Sequence, residues 1–472
     1  MLLPSSLRTL LDALIQQDAR PILVGGAVRD YLLGRPVKDY DVEVYGVSGM
    51  EALADMLEPL GSVNAVGRQF GVLKFQSAES VEVDFSLPRT EEKTGTGHRG
   101  FAVTTDGALD FAIAARRRDF TINAIGYDVA SGEYLDPFEG RRDLKRGILR
   151  HIDDATFVED PLRVYRAVQF AARFELEVAE ETFALCRDMV EQGMLDELPR
   201  ERVWGEWQKL LSRSLRPSVG FELMRKLGIT ERYFPELHAL IGVPQSPEYH
   251  PEGDVWNHTM MTLDAMAEQV AGSKEEVGSG KKQKLKFLLA ILCHDLGKAT
   301  HTQIETDGRI RAIGHEAAGV EPTRSLLARL TDEHDLIESI VPLVEYHLAP
   351  AQYYRNTARD KTIRRLSVRL APHANIRDLC VVAYADFLGR DRDDARSGID
   401  PSTQWLEERA EALGVLDAPP VALLQGRDLI ELGLEPSVRF GEILDAVYEE
   451  QIRGNVKVRD EALRFVDKKI GR

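Results

Sequence analysis

Two carboxylates separated by a single residue open a short apolar run, "DYDVEVYG", in which they are Asp39 and Asp41. Alternate residues of a β-strand point to the same face, so both acids would point the same way. Like charges at that spacing repel unless a cation lies between them. The run is therefore either a surface strand with solvated acids or one side of a metal site, and its surroundings decide between them.

The segment before the two acids provides what a phosphate site needs. A predicted strand, "PILV", is joined by a Gly-Gly pair to a predicted helix, "AVRDYLLG", which begins near Gly26 and carries Arg29. Backbone N–H groups at such a turn can approach phosphate closely. A third acid, Asp84 of "VEVDFSL", would stand on a neighbouring strand. Three carboxylates around Mg²⁺ and a triphosphate form a two-metal site for in-line displacement.

A second group of metal-type residues lies more than 200 residues downstream. His294 and Asp295 of "CHDLGK" follow each other on a predicted apolar helix, where burying both is costly unless they have partners. The further candidates are acids and histidines spread over about 130 residues: His258, His315, His347 and Asp386. Mixed His and Asp ligands favour a transition metal over Mg²⁺.

The elements that would position these groups change in character along the chain. Short β-rich runs mix with helices up to about residue 150, and helical periodicity dominates afterwards. This pattern predicts an α+β protein: a small mixed-sheet head followed by helical segments. Breaks rich in Pro and Gly near 235–253 and 414–428, and a polar loop at 268–286, divide the helical part. The predicted domains are a head (1–150), a helical neck and body (151–245), a third domain around the second constellation (246–412) and a helical tail (413–472).

Composition limits the class of protein. The chain has 472 residues, 43% hydrophobic and 29% charged, which is typical of a globular protein with several domains. No apolar run is long enough to span a membrane, and the first residues predict an amphipathic helix and not a signal peptide. Three widely spaced cysteines (Cys186, Cys293, Cys380) favour a reducing cytoplasm. No obligate protein partner is indicated, and the oligomeric state is left open.

The net charge of −17 argues against binding to nucleic acid only if charge is averaged over the whole chain. Two stretches are locally basic, 200–226 and 451–472, each with seven Lys or Arg against three acids. Either stretch is an RNA-binding surface or an ordinary solvated helix face.

The head resembles the DNA polymerase β-type nucleotidyltransferases, and more narrowly the bacterial tRNA nucleotidyltransferases (CCA-adding enzymes) and their poly(A) polymerase relatives. The resemblance rests on "LVGGAVRDYLLG…VKDYDVEVYG", "LPRTEEKTGTGHRGF", "RRRDFTINAIGYD…LDPFEGRRDL" and "FVEDPLRVYRAVQFAARF". It implies that Asp39 and Asp41 bind Mg²⁺ and that Asp84 is the third catalytic acid. It also implies that Gly26, Arg29 and Arg118 contact the triphosphate and sugar.

The same resemblance makes "EDPLR" the element that reads the incoming base. Asp160 and Arg163, at i and i+3 of a helix, would select C and A, since both bases show an amine beside an acceptor nitrogen. Arg166 and Gln169 continue that face, and Gln169 replaces an arginine that is common in the family, so its contact with nucleotide is in doubt. The Gly-rich segment "RTEEKTGTGHRGF" would help to switch from C to A addition.

The second constellation resembles the HD phosphohydrolase superfamily. The H…HD…D pattern corresponds to His258, His294, Asp295 and Asp386. His315 and His347 would form a second metal position or bind substrate phosphate. In some bacterial CCA-adding enzymes a fused HD domain has 2′,3′-cyclic phosphodiesterase, 2′-nucleotidase and phosphatase activities. The resemblance thus implies a divalent transition metal such as Ni²⁺, Mn²⁺ or Co²⁺.

The sequence as a whole predicts a cytoplasmic enzyme that adds C and A from CTP and ATP to the 3′ end of tRNA, with a second phosphohydrolase centre. The tail segment "LLQGRDLIELGLEPSVRFGEILDAVYEEQIRGNV" also resembles this family. Two alternatives remain. One is a poly(A) polymerase or an A-adding specialist on the same fold. The other is an HD nucleotide phosphohydrolase whose head only docks RNA.

Overall fold

The structure, a computed structural model, describes residues 1–37, 39–64, 71–76, 82–93, 101–272 and 280–470. The chain forms two compact units. The first comprises Met1–Leu210 and Glu222–Ile229, and the second comprises Leu211–Phe221 and Thr230–Arg472. The chain passes from one unit to the other after residues 210, 221 and 229, and each of these boundaries falls within a helix.

The first unit begins with the head, whose strands and helices alternate. Its strands are β1 (Arg20–Val24), β2 (Tyr40–Tyr45), β3 (Ser62–Asn64), β4 (Val72–Gln76), β5 (Glu82–Ser86), β6 (Arg89–Lys93), β7 (Phe101–Thr105), β8 (Gly126–Asp128), β9 (Tyr134–Leu135), β10 (Ile148–Leu149) and β11 (Glu177–Val178). Its helices are α1 (Ser5–Ile15), α2 (Gly26–Leu32), α3 (Met50–Leu57), α4 (Phe111–Arg116) and α5 (Gly140–Arg146).

Seven strands form one mixed sheet in the order β3-β4-β5-β2-β1-β8-β9. The β2–β5 pair is parallel and every other pair is antiparallel. β2 lies at the centre, and apart from Tyr40 and Asp41 at its start its side chains are buried. The sheet therefore places the paired acids where the central strand begins.

An apolar layer holds the head together on one side of this sheet. The amphipathic helix α1 buries Leu7, Leu11 and Leu14 against strand residues such as Val42 and Phe85. Burial of this kind stabilises a domain by about 1.5–3 kcal/mol for each large side chain. The expected amphipathic N-terminal helix is present, and it belongs to the core of the head.

Helices follow the head in the first unit. They are α6 (Asp154–Phe157), α7 (Leu162–Phe174), α8 (Glu180–Glu191), α9 (Arg200–Arg213) and α10 (Ser218–Lys226); α9 ends in the second unit, and α10 begins there. Helix α7 buries one whole face, including Val164, Val168 and Ala172. It carries the segment that the sequence predicts to read the base.

The second unit is almost entirely helical. Its elements, of which α11 begins at the boundary residue Ile229, are α11 (Ile229–Tyr233), α12 (Pro235–His238), α13 (Val255–Gly272), α14 (Gly280–Cys293), α15 (Lys298–His301), β12 (Gln303–Ile304), β13 (Ile310–Arg311), α16 (His315–Ala318), α17 (Val320–Leu330), α18 (His334–Glu345), α19 (Ala349–Arg355), α20 (Asp360–Leu370), α21 (Ile376–Leu388), α22 (Asp393–Arg396), α23 (Pro401–Ala412), α24 (Gly426–Glu431), α25 (Arg439–Arg453) and α26 (Arg459–Ile470). The last three helices bury an apolar cluster of their own around Leu429, Val447 and Val466.

The predicted fold class, a mixed-sheet head followed by helices, is confirmed. Two details are corrected. His294 and Asp295 lie in the turn directly after α14, because that helix ends at Cys293. The loop expected at 268–286 is shorter, since α13 continues to Gly272 and α14 begins at Gly280.

Other expectations can be compared only with the described residues. Of the expected switching segment "RTEEKTGTGHRGF", β6 and the start of β7 are described, and residues 94–100 lie outside the described residues. Within the described ranges, no helix is both long enough and apolar enough to cross a membrane. All three cysteines are buried free thiols.

Replacement of Phe85 by Ala tests the packing beneath the paired acids. Phe85 is fully buried, and its ring meets that of Phe75 edge to face, with centroids 5.9 Å apart. The cavity should destabilise the head by about 3–5 kcal/mol. Hydrogen exchange of the β4 and β5 amides should accelerate accordingly. Ile113→Ala, at a residue that is 54% exposed, should leave these rates unchanged, and unchanged exchange in both variants would contradict this packing.

Candidate functional sites

The turn between β1 and α2 exposes backbone to the predicted phosphate site. Gly25 has φ +67°, a left-handed conformation that favours glycine. A Cβ on Gly25 would lie 3.2 Å from Nη1 of Arg118 and 3.6 Å from Oδ2 of Asp41. Gly26, the residue predicted from the sequence, is the first residue of α2. Gly25 is absent from the predicted site, although the doubled glycine was the signal for it.

The paired acids lie at the start of the central strand. Asp41 is the register partner of Asp84 across the parallel β2–β5 pair, and Asp39 comes just before β2. Loss of hydration raises the pKa of the Asp41 carboxyl, and the negative charges of Asp84 and Asp39 raise it further. The three carboxylates do not form one of the groups of described residues whose ligand atoms all lie within 4.8 Å of one another. Asp41 and Asp84 nevertheless share a face, and their mutual repulsion favours a bound cation.

Glu43 is a buried acid that the predicted site lacks. It lies two residues beyond Asp41 on the same strand and is 1% exposed. Its Oε1 accepts from Arg118 at 2.8 Å and from Arg117 at 3.0 Å. Burial opposes its charge, but the two guanidinium groups hold the pKa of Glu43 below its ordinary value. Glu43 thus anchors Arg118 beside Asp41, and the period of two in "DYDVE" was the available signal.

Arg29 is placed differently from the other predicted phosphate contacts. Its side chain is buried, its guanidinium bonds Asp30 and Asn123, and it stacks on Phe174 with the ring centroid 4.4 Å away. These contacts use its charge inside the protein. The structure therefore brings Gly25, Asp41, Asp84 and Arg118 together, whereas a Cβ on Gly26 would lie 3.5 Å from Nη2 of the enclosed Arg29.

The predicted base-reading pair is also engaged within the protein. Asp160 precedes α7 and accepts from both Nη atoms of Arg202, at 3.2 and 3.0 Å. Arg163, in the first turn, donates to the carbonyl oxygens of Thr156 and Arg117, each at 2.6 Å. Both residues lie at the start of α7, and Arg163 is tied to the main chain beside Arg118.

Arg166 and Gln169 point into the protein on the same helix. Arg166 donates to Asp119 at 2.7 Å, and this charge keeps the pKa of buried Asp119 below its ordinary value despite burial. Gln169 is 1% exposed, and its Oε1 is a buried acceptor without a hydrogen bond. The doubt about Gln169 as a nucleotide contact therefore gains a structural reason, because the side chain is enclosed.

The second unit brings its candidate metal residues together from separate helices. His258 comes from α13, His294 and Asp295 from the turn after α14, and Asp386 from α21. Nε2 of His258 lies 3.0 Å from Oδ1 of Asp386 and 3.8 Å from Oδ2 of Asp295. Nε2 of His294 lies 3.2 Å from the same Oδ2. All four side chains are buried.

His315 and His347 meet the other oxygen of the same carboxylate. Their Nε2 atoms lie 3.2 and 3.8 Å from Oδ1 of Asp295. In His294, His315 and His347 the Nδ1 atom contacts the main-chain carbonyl three residues earlier, at 2.6–2.7 Å. This contact fixes each ring with Nε2 directed at Asp295. Burial lowers the pKa of His347 to about 3, so its ring is neutral, as a metal ligand requires.

Three charged residues around this centre are absent from the predicted site. Lys298 lies 2.6 Å from Oδ2 of Asp295, and Arg390 donates to Asp386 at 2.9 Å. Glu252 accepts from His258 Nδ1 at 2.7 Å. Lys298 belongs to the quoted "CHDLGK" motif. The roles of Glu252 and Arg390 depend on tertiary packing, so the sequence alone did not indicate them.

The donor set of the second unit fits a divalent metal ion. His258, His294 and Asp295 form one group with ligand atoms within 4.8 Å of one another, and Asp295, His315 and His347 form another. Nε2 of His294 and both oxygens of Asp295 are buried and have no well-oriented hydrogen bond within the described residues, although Lys298 lies 2.6 Å from one of these oxygens. Buried polar atoms in that state are costly unless an ion meets them.

Three family models match the chain in succession. Residues 22–150 match the poly A polymerase head domain, 175–241 match a probable RNA and SrmB-binding site of polymerase A, and 255–390 match the HD domain. The mixed sheet with paired acids and the His/Asp centre thus define a poly(A) polymerase-type nucleotidyltransferase fused to an HD domain.

Curated relatives narrow this class. The chain is 42% identical over 326 residues to a multifunctional CCA protein of Neisseria meningitidis, covering 69% of this chain and 72% of that one. It is 39% identical over 402 residues to the one of Xanthomonas campestris, covering 84% and 92%. The chain belongs to the multifunctional CCA protein family, and the prediction that it is a tRNA nucleotidyltransferase is confirmed.

Solved structures agree on the fold. The CCA-adding enzyme of Bacillus stearothermophilus in complex with CTP matches 99% of this chain and 98% of its own, with a TM-score of 0.67 and 21% identity. The Thermotoga maritima enzyme in complex with tRNA matches 98% and 94%, with a TM-score of 0.58 and 19% identity.

Gly297 provides a test of how the HD centre is assembled. A Cβ there would lie 2.0 Å from the carbonyl oxygen of His315 and 2.6 Å from the amide nitrogen of Gly319. Gly297→Ala should therefore displace α16 with His315 and lower the melting temperature, in line with a loss of about 1–3 kcal/mol for overpacking. Gly441→Ala, where a Cβ meets open space inside α25, is the matched control. Equal melting temperatures for both variants would contradict this close approach.

Proposed function

We propose that this protein adds C and A from CTP and ATP to the 3′ end of tRNA without a nucleic-acid template, in CCA addition and repair. The observation that carries the proposal is the facing of Asp41 and Asp84 across parallel strands, with Gly25 and Arg118 at the same mouth. Acids opposite a backbone turn and a guanidinium match the needs of a nucleotide whose triphosphate must be bound and polarised.

In this proposal the chain's residues divide the work of phosphoryl transfer. Asp39 and Asp41 would hold Mg²⁺, with Asp84 as the third acid, and the ion would neutralise charge on the reacting phosphates. The Gly25–Gly26 backbone and Arg118 bind the triphosphate, and Glu43 keeps Arg118 in place. Arg29 supports the turn between β1 and α2 through its hydrogen bonds to Asp30 and Asn123.

The choice of base is assigned to Asp160 and Arg163 at the start of α7. Their contacts with Arg202 and with main-chain carbonyls hold both side chains in one orientation before nucleotide binds. A preformed carboxylate and guanidinium can select C and A over U and G without a template strand. Arg166 and Gln169 support this helix from its buried side.

The HD centre is assigned a second, phosphohydrolase activity of the 2′,3′-cyclic phosphodiesterase, 2′-nucleotidase or phosphatase type. His258, His294, Asp295 and Asp386 would hold a divalent transition metal such as Ni²⁺, Mn²⁺ or Co²⁺, and His315 and His347 a second ion or the substrate phosphate. Such an ion supplies an activated water. Lys298 and Arg390 keep the surrounding carboxylates charged.

The predicted boundaries assign nucleotide chemistry to 1–150, base reading and RNA binding to 151–245, the HD centre to 246–412 and RNA contact to 413–472. A cytoplasmic location fits these substrates. A poly(A) polymerase or A-adding enzyme on the same fold is the nearest alternative, and counting the nucleotides added to a tRNA that ends at the discriminator base separates the two.

Paired variants test whether the two centres are independent. Asp39→Asn with Asp41→Asn removes two charges from the Mg²⁺ site and should abolish addition of C and A to tRNA. Metal-dependent hydrolysis of 2′,3′-cyclic AMP should stay within about twofold, since its ligands lie on other helices. Asp295→Ala should have the opposite effect.

The control for these variants is the melting temperature, because Asp295 is buried among charged partners. A well-folded Asp295→Ala protein that lost nucleotide addition as completely as the double Asn variant would contradict two separate centres. A wild-type protein that incorporated neither nucleotide would favour an HD phosphohydrolase with a docking head.

Arg163→Ala tests the selection of the base. Loss of one such contact is worth about 1–3 kcal/mol, so discrimination against UTP and GTP should fall roughly 10- to 100-fold. Arg163→Lys should show an intermediate loss, because lysine keeps the charge but not the planar donors. Arg187→Ala, at an exposed arginine on α8, is the control. A slow Arg163→Ala enzyme that still accepted only C and A would place the selector elsewhere.

A further inference from the structure

Of the two stretches that are most basic in sequence, 200–226 has much of its charge neutralised in the fold. In 200–226, Arg202, Lys209 and Arg225 pair with acids at 2.7–3.0 Å. In 451–472, Arg453 and Arg459 pair with Glu450 and Asp428, whereas the other cations of this stretch that the structure describes have no ion pair there. Paired cations attract a phosphate backbone less strongly than unpaired ones.

A third stretch, 353–369, keeps most of its charge, although its Arg365 pairs with Glu449. It contains six Lys or Arg and one acid, Asp360. Asp360 is bonded by Arg409 of α23, so the single negative charge is neutralised. Arg355, Arg359 and Lys361 are exposed, and none of the three side chains has an ion pair or a side-chain hydrogen bond within the described part of the chain.

Aromatic side chains stand beside these cations. Tyr354 is 44% exposed, and its ring meets that of Trp405 edge to face with centroids 6.0 Å apart. An aromatic face next to free cations is the combination by which proteins bind single-stranded nucleic acid, since bases stack on the rings and phosphates meet the charges.

This surface lies next to the HD centre. Helix α19 starts two residues after His347, and its Gln352 donates to Glu316, the neighbour of His315, at 3.3 Å. From Ala349 to Arg355 the helix spans only about 9 Å. An RNA strand bound along α19 would therefore have one end close to His315 and His347.

We propose that Tyr354, Arg355, Arg359, Lys361 and Trp405 form an RNA-binding surface that guides the 3′ end of a single strand to the HD centre. The proposal rests on the phosphohydrolase function proposed above and specifies its substrate class: the terminal phosphate of an RNA chain, and not a free mononucleotide. The phosphates contact the three cations, and an unstacked base lies on Tyr354.

The test compares two triple variants of the full-length protein. Arg355→Ala/Arg359→Ala/Lys361→Ala removes the free cations. The matched control, Arg309→Ala/Arg377→Ala/Arg396→Ala, removes three exposed arginines of the same unit that are paired with Asp307, Asp417 and Asp391. Each variant loses the same net charge, so a general charge effect cancels in the comparison.

The substrates are a single-stranded RNA 12-mer that ends in a 2′,3′-cyclic phosphate, and 2′,3′-cyclic AMP. We expect kcat/KM for the RNA to fall at least tenfold in the first variant and less than twofold in the control. The kcat/KM for 2′,3′-cyclic AMP should be equal in both variants. A loss of three phosphate contacts should also reduce the slope of log affinity against log salt by about 2. Equal losses on both substrates, or equal behaviour of the two variants, would overturn the proposal.

Binding of the same RNA, followed by fluorescence anisotropy, separates failure of this surface from failure of the phosphohydrolase function. If the wild-type protein hydrolyses neither substrate, the proposed activity is wrong. Whether this surface binds RNA is then decided by the slope of log affinity against log salt alone. The magnitude of that slope must be about 2 smaller in the first variant than in the control. Tyr354→Ala should weaken RNA binding between about 5-fold and 100-fold, while Tyr354→Phe should bind as the wild type does.

Discussion

The cost of placing carboxylates close together in partly desolvated surroundings is the constraint on which both centres depend. In the head, Asp41 faces Asp84, and Glu43 is buried one step further along the same strand. Two arginines neutralise Glu43, whereas the described residues provide no comparable ion pair for Asp84. The buried charge of Glu43 is therefore neutralised by protein side chains, whereas Asp41 and Asp84 at the start of the strand can attract a cation.

The HD centre meets the same constraint with different chemistry. Asp295 and Asp386 are buried, which opposes their charge, but neighbouring cationic groups hold their pKa values well below the ordinary range: His294 and Lys298 for Asp295, and Arg390 for Asp386. The histidines are held by main-chain carbonyls or by Glu252, so their Nε2 atoms are directed at the carboxylates of Asp295 and Asp386. A mixed set of imidazoles and carboxylates suits a transition metal, and the oxygen donors of the head suit Mg²⁺.

Ion pairing also explains how an acidic protein can bind RNA. A net charge of −17 is a property of the whole chain, whereas binding depends on cations that are both exposed and unpaired. The fold neutralises several arginines in the stretches with the highest sequence counts, whereas Arg355, Arg359 and Lys361 have no ion pair among the residues that the structure describes. Local charge must therefore be judged from contacts as well as from counts.

The sequence by itself determined the fold class, the strand–Gly-Gly–helix turn, the position of Asp84 on a strand next to that of Asp41, and which His and Asp residues are candidate ligands in the HD domain. These depend on periodicity and on motifs whose spacing is short or whose residue types are rare, and such signals are local. Tertiary structure alone decided that Arg29 is enclosed by Phe174 and Asn123, that Glu43 anchors Arg118, and that Glu252 and Arg390 support the HD ligands. It also decided which basic residues stay unpaired. An arginine or glutamate has the same local sequence pattern whether it faces solvent, substrate or a buried partner, and only the packing of distant elements decides among these.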